Sequence, residues 1–350
     1  MDHGEFEARI RAASRERPLC IRGGGSKDFY GGPLLGERLE TGSYRGIVSY
    51  EPTELVITAR AGTPLAEVET ALAGNGQYLA FEPPAFGAAT IGGVVAAGLS
   101  GPRRMASGAL RDYVLGVRIL DGEARLLRFG GEVMKNVAGY DASRLLAGSL
   151  GTLGLILDIS LKVLPRPPAE ATMRFELPAP QALAAVAGWA ARPLSLAASA
   201  WQDGILMIRL AGAVAAVAAA QREIGGSTVP EAEARVFWED LREQRLPFFT
   251  GEMPLWRLAV PPTAAMIDLP GPQLIEWHGG QRWWRGDLPA TTLRAAAAAA
   301  GGHATLFRGG DRSAGAFTQP APVLLDLHRR LKAAFDPRGV FNAQRLFPDF

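Results

Sequence analysis

The spacing of apolar positions changes several times along the chain, and each change marks an element. Phe6 and Ile10 stand four apart in a charged segment, which predicts a short N-terminal helix with one buried face. Apolar runs at 19–22, 47–51 and 56–59 predict short strands. After Gly62 the spacing becomes helical. Leu65, Val68 and Leu72 share a face, with Thr63 as N-cap, Pro64 at the first helical position, and Gly74 to Gly76 as the stop. Residues 113–120 alternate as a strand does, and Asp121-Gly122 predicts a hairpin turn into 124–129. A short helix is expected from 143 to 146. A strand is expected over 155–164, with Asp158, Ser160 and Lys162 on its polar face.

Pro165-Arg166-Pro167-Pro168 interrupts this series, and prolines so close together stiffen an extended linker. Beyond it, strands are expected near 172–177, 195–200, 204–210, 255–260, 273–278, 281–285 and 303–307. Helices are expected near 181–191, 213–224, 235–244 and 290–300. An amphipathic helix over 322–334 is ended by Asp336-Pro337-Arg338-Gly339. A chain of 350 residues is natural for two domains. The most apolar window, 213–220, is far too short to span a bilayer, and the N-terminus lacks the apolar core of a secretory signal.

Composition narrows the partners. The formal charge is +2 and no dense Lys/Arg tract occurs, which argues against nucleic-acid binding. Cys20 is the one cysteine, set in an apolar run, so it forms no internal disulfide and reads as a small buried hydrophobe. That fits a reducing cytoplasm.

Two glycine-rich stretches carry the candidate chemistry. One is Arg22-Gly23-Gly24-Gly25-Ser26-Lys27, directly after Leu19-Cys20-Ile21. The other is Thr90-Ile91-Gly92-Gly93, running on to Gly101. Such backbone allows close approach, and successive exposed amides make an anion nest. Two nests in one domain suggest a ligand with a pyrophosphate at its middle. The spacing fits neither a P-loop nor the G-x-G-x-x-G dinucleotide fingerprint.

The two stretches resemble the FAD-binding domain of the vanillyl-alcohol-oxidase, or PCMH, type. Further blocks follow in that family's order. Residues 107–116 are similar to its G-x-x-R-D-x-V-L-G segment, residues 135–141 to K-x-x-x-G-Y-D, and residues 148–156 to G-S-E-G-T-L-G-I-I. Residues 303–310, the tail 331–342 and the chain length resemble the FAD-binding E subunits of bacterial glycolate oxidases (glycolate dehydrogenases). The resemblance implies an α+β protein. Residues 1–166 would be a two-part PCMH-type FAD-binding domain and 167–320 a ferredoxin-like cap. Residues 321–350 would be a helix and tail that pack back on the first domain.

It also implies a cofactor site. The expected FAD-binding residues are Arg22, Gly23, Gly24, Gly25, Ser26, Lys27, Pro83, Thr90, Ile91, Gly92, Gly93, Ala97, Gly98, Ser100, Gly101, Asp112, Val114, Gly151, Gly154 and Ile156. Gly92 and Gly93 are expected under the ring or the pyrophosphate. Ala97-Gly98 replaces a frequent Thr-Asn of the family, which shifts weight onto backbone contacts, and Leu150 stands where relatives have Glu. Neither glycine stretch holds a His or Cys, so noncovalent FAD is expected, with Tyr140 the exception to consider.

The implied activity is oxidation of glycolate and other small 2-hydroxy acids to glyoxylate by a complex. Its other members would be a second flavin subunit and an iron–sulfur subunit that receives the electrons. A cytoplasmic location, with membrane contact only through partners, goes with it. Two other readings stay open: a self-sufficient FAD-dependent 2-hydroxy-acid dehydrogenase, and a structural pseudo-subunit with a vacant flavin site.

Catalytic residues are less legible. The histidines are His3, His278, His303 and His328, none at a metal-ligand spacing, and no metal site is expected. His303 and His278 are candidate bases. Arg257, Arg282 and Arg308 each interrupt an apolar strand. Arg282 and Arg308 are the candidate carboxylate binders, on the reasoning that a buried arginine needs an acidic partner.

Overall fold

The computed structural model describes residues 3–131 and 141–350. Residues 135–140 of the K-x-x-x-G-Y-D block, Tyr140 included, lie outside the described residues. The chain divides into two compact units. The first comprises Met1–Leu99, Ala109–Pro165 and Gly315–Phe350. The second comprises Ser100–Gly108 and Arg166–Ala314.

In the first unit, β1 (Leu19–Arg22) and β2 (Glu37–Glu40) form a parallel pair. Five further strands make one antiparallel sheet: β3 (Ile47–Glu51), β4 (Val56–Arg60), β5 (Val114–Leu120), β6 (Leu126–Gly130) and β7 (Leu155–Lys162), in the order β3-β4-β7-β5-β6. The central position of β7 explains why its polar face is buried rather than solvated. Asp158 meets Arg118 at 2.6 Å, and the Ser160 hydroxyl lies 2.8 Å from that of Thr58.

Helix α1 (His3–Ala12) buries Phe6 and Ile10 in a core with Leu19, Leu39, Val340 and Phe341. Helix α2 (Leu65–Ala73) buries Leu65, Val68 and Leu72, and helix α3 (Ile91–Ala97) buries Ile91, Val94 and Val95, all in the larger core on the five-stranded sheet. Thr63 does not cap α2, contrary to the sequence reading. Pro64 holds the N-cap, while the Thr63 hydroxyl accepts from the Gly46 amide and donates to its carbonyl. The final helix, Pro322–Phe335, also belongs to this unit.

The second unit is built on one eight-stranded antiparallel sheet. Its first half runs β8 (Ala169–Glu176), α4 (Ala179–Ala190), β9 (Leu196–Gln202), β10 (Ile205–Gly212), α5 (Val214–Ile224), β11 (Ser227–Val229), the split β-α-β order of ferredoxin-like folds. Helix α6 (Glu231–Arg242) follows. The second half holds β12 (Leu255–Ala259), β13 (Gln273–Glu276), β14 (Gln281–Arg285), α7 (Ala290–Ala299) and β15 (His303–Arg308). The sheet order is β11-β8-β10-β9-β13-β14-β12-β15. Read outward from the centre, each half places its strands second, third, first, fourth. The halves are therefore two similar modules joined edge to edge through β9 and β13.

Candidate cofactor site

A cleft in the first unit runs between the β1 layer and the α3 side of the sheet, with about 760 Å³ of empty space including its open mouth. One end is made by the turn after β1, residues 22–28. Gly24 sits so near Ala88 that a Cβ would fall 1.5 Å from the Ala88 carbonyl oxygen, and Gly25 takes φ +72° with the Arg22 guanidinium tucked against it. Only glycine permits this path. Among the described residues, no protein acceptor meets the amides of Gly23, Gly24, Gly25 or Ser26. Arg22 is braced by Asp28 at 2.8 Å, a hydrogen bond that raises its pKa. Lys27 donates to the Ala85 carbonyl at 3.2 Å.

The second glycine stretch is helix rather than nest. Thr90 caps α3, its hydroxyl accepting from the Gly93 amide at 3.4 Å. The Ile91 amide donates to Thr63, that of Gly92 to Ala61 and that of Val94 to Thr90. These donors are spent inside the protein. Gly92 is required for packing: a Cβ there would lie 2.7 Å from the Ala61 Cβ and 2.9 Å from the Ala61 oxygen. Gly92 and Gly93 both line the cleft floor, and there Gly92 also makes a close helix–strand contact. Gly98 ends α3 at φ +65°.

Much of the remaining lining is apolar. Ala61, Ala96 and Ala97 present methyl groups, and Leu150, Gly151, Gly154, Leu155 and Ile156 form the facing wall. Of the residues expected from sequence, Arg22, Gly23, Gly24, Gly25, Ser26, Lys27, Thr90, Gly92, Gly93, Ala97, Gly151, Gly154 and Ile156 line it. Pro83, Ile91, Gly98, Asp112 and Val114 do not. Ile91 and Val114 are core, and Asp112 accepts from the Ala109 amide at 3.0 Å. Ser100 and Gly101 belong to the second unit. Lining residues that the sequence reading passed over include Ile21, Asp28, Thr41, Asn342 and Arg345.

The candidate catalytic residues all lie in the second unit. Arg282 is 1% exposed and donates to the carbonyls of Gly279, Ala265 and Ala264 at 3.1, 2.7 and 2.6 Å. Carbonyls meet each of its three guanidinium nitrogens where an acid was expected, and burial keeps the group from solvent. Desolvation lowers the pKa of Arg308, with the Arg285 charge adding to it. It also lowers the pKa of His303, with Arg257 adding. His278 has φ +54°, a buried Nε2 without a partner among the described residues, and a pKa lowered by burial. No group of three or more His, Cys, Asp or Glu among the described residues is placed to hold a metal ion.

The family described as an FAD binding domain matches residues 2–130. Over 340 residues, 97% of this chain and 95% of the relative, the sequence is 48% identical to glycolate oxidase subunit GlcE of Escherichia coli (strain K12). The chain belongs to the GlcE family. Over a shorter stretch the chain is also similar to glycolate oxidase subunit GlcD of Bacillus subtilis (strain 168). That match is 32% identical over 127 residues, 36% of this chain and 27% of that protein. D-2-hydroxyglutarate dehydrogenase of Xanthomonas citri pv. viticola is 29% identical over 177 residues, 50% of this chain and 38% of that protein. Among solved structures, alkyldihydroxyacetonephosphate synthase superposes with a TM-score of 0.65 at 15% identity, covering 97% of this chain and 75% of that one. At that identity the likeness is one of fold.

The cleft fits the FAD of this GlcE-type chain. The amides of Gly23 to Ser26, which meet no protein acceptor among the described residues, and the cationic groups of Arg22 and Lys27 suit a pyrophosphate at one end. The methyl-floored slot suits a flat ring.

Proposed function

We propose that this chain is the FAD-binding subunit of a glycolate oxidase complex. The complex oxidises glycolate and related small 2-hydroxy acids to glyoxylate and passes electrons to an iron–sulfur partner subunit, alongside a second flavin subunit. The observation that carries this reading is the donor set of the cleft in a chain alike from end to end to a glycolate oxidase subunit. FAD, when bound, accepts a hydride from the alcohol carbon. The amides from Gly23 to Ser26 would hold its pyrophosphate, and Lys27 and Arg22 would supply a positive field there. Leu155, Ile156 and Ala97 exclude water from the slot. Among the described residues neither His nor Cys lines the cleft, which supports a noncovalently held flavin.

Among the described residues, the cleft also holds no base suited to the hydroxyl proton. The one carboxylate among those that line it, Asp28, is committed to Arg22. General acid–base catalysis is worth about 10²–10⁴-fold. The isolated, FAD-loaded chain is therefore a slow dehydrogenase, and the partner subunits complete the reaction. Anaerobic flavin reduction by glycolate tests this. Bleaching should be slow for the lone chain and fast for the assembled complex. Rapid bleaching of the lone chain would favour a self-sufficient dehydrogenase.

A further inference from the structure

We infer that the C-terminal tail is a clasp that holds the cofactor cleft in its binding shape, with Asn342 and Arg345 as positioning residues. The inference rests on the reading of the cleft as the FAD site. The two walls of the cleft come from different layers: Ile21 from β1 and Leu150 from the segment before β7. Asn342 spans them. Its Oδ1 accepts from the Ile21 amide at 2.7 Å, and its Nδ2 donates to the Leu150 carbonyl at 2.6 Å. Leu150 is tied onward to α3, its amide donating to Ala96 at 2.8 Å. One side chain thus sets the distance between both walls and the helix floor.

Arg345 does the same for the anion end. It is 5% exposed, and its guanidinium donates to the carbonyls of Asp28 (3.3 Å), Tyr30 (2.5 Å) and Gly32. The Gly32 amide returns a bond to the Arg345 carbonyl at 2.8 Å. These contacts pin residues 28–32, the segment leading directly out of the Gly23–Lys27 turn.

The glycines on both sides record the fit. A Cβ on Gly32 would fall 1.9 Å from the Gln344 oxygen, and one on Gly151 would fall 2.6 Å from the Asn342 amide nitrogen. Asn342 and Gln344 themselves take left-handed φ of +44° and +61°, a conformation disfavoured for residues other than glycine and retained where the surroundings fix it. The tail backbone is joined to β1 as well: the Leu19 amide donates to Val340 at 2.7 Å, and that of Asn342 to Leu19 at 2.9 Å. Linkage makes the coupling reciprocal. If docking of the tail raises FAD affinity by some factor, FAD raises docking of the tail by the same factor.

The test uses the full chain, deflavinated and titrated with FAD by flavin fluorescence. Hydrogen exchange at Leu19, Gly32 and Asn342 is followed with and without FAD. Arg345→Met and Asn342→Gly should each weaken FAD binding at least about tenfold while the apo protein stays folded, and Arg345→Lys should fall between. In wild type, FAD should slow exchange at all three amides. If Arg345→Met does not fold, Asn342→Gly, which relaxes a left-handed residue, and the wild-type exchange data decide. Folded variants with FAD affinity within about twofold of wild type, or exchange indifferent to FAD, would overturn the clasp and leave the FAD site standing. Failure of wild type to bind FAD would overturn the cleft assignment and the clasp with it.

Discussion

Gly24→Ala isolates the contribution of the first glycine turn. The added methyl would sit 1.5 Å from the Ala88 carbonyl oxygen and 2.7 Å from its carbon, where ordinary contact begins at 3.4 Å. The obstacle is backbone, so no rotamer change relieves it, and the turn must retreat by about 2 Å. Gly24 is exposed, so the retreat is outward and leaves the core intact. A hydrogen bond of about 2.9 Å does not survive a displacement of that size. Each lost bond to a charged acceptor costs about 1.5–3 kcal/mol, roughly a 10- to 150-fold weaker affinity. Titration of the deflavinated variant with FAD should show that loss, with thermal stability of the apo protein within about 1 kcal/mol of wild type. Gly42→Ala, where nothing lies within 4 Å, is the matched control and should bind normally. Affinity of Gly24→Ala within about twofold of wild type would refute the claim that these amides hold the anion.

Other outcomes follow from the same geometry. Gly92→Val should destabilise the apo protein by about 1–3 kcal/mol, because its side chain meets Ala61; thermal unfolding without FAD checks this. Asp336→Ala should cost about 3–5 kcal/mol in urea denaturation. Lys332, which Asp336 meets at 2.7 Å, stays buried without its carboxylate, and the Val340 and Phe341 amides lose their acceptor. Stability should fall as pH drops below about 6.5, the ordinary histidine value, towards the lower folded pKa of His278. Across that interval the unfolded chain binds the extra proton. His303 adds in the same direction, and His278→Asn should flatten the acid limb measured by pH-dependent melting. Arg282→Met should lower the melting temperature and leave the KM of the complex for glycolate unchanged, since the side chain is buried and each of its three guanidinium nitrogens already donates to a carbonyl.

The sequence shows best what local periodicity dictates. Leu65, Val68 and Leu72 announce α2, and the two glycine stretches point to the cleft they line. It shows less where tertiary packing overrides propensity. Gly92-Gly93 lowers helix propensity, yet α3 forms because Val94 and Val95 are buried and Gly92 fits against Ala61. The strand Glu37–Glu40 has three charged residues in four and buries only Leu39, so no alternation reveals it. Asn342 and Ile21 are 321 residues apart, and the bond between them exists only once the tail has returned to β1. Arg282 misled for a different reason: burial of an arginine requires acceptors, and three carbonyls meet that need as well as an acid.

The most direct test of the account is the flavin content of the purified chain, read from its visible absorption before and after acid precipitation. The account predicts FAD at one equivalent per chain, released entirely into the supernatant on denaturation. A chain that is colourless and stays so with added FAD, or a precipitate that keeps the flavin, would contradict it.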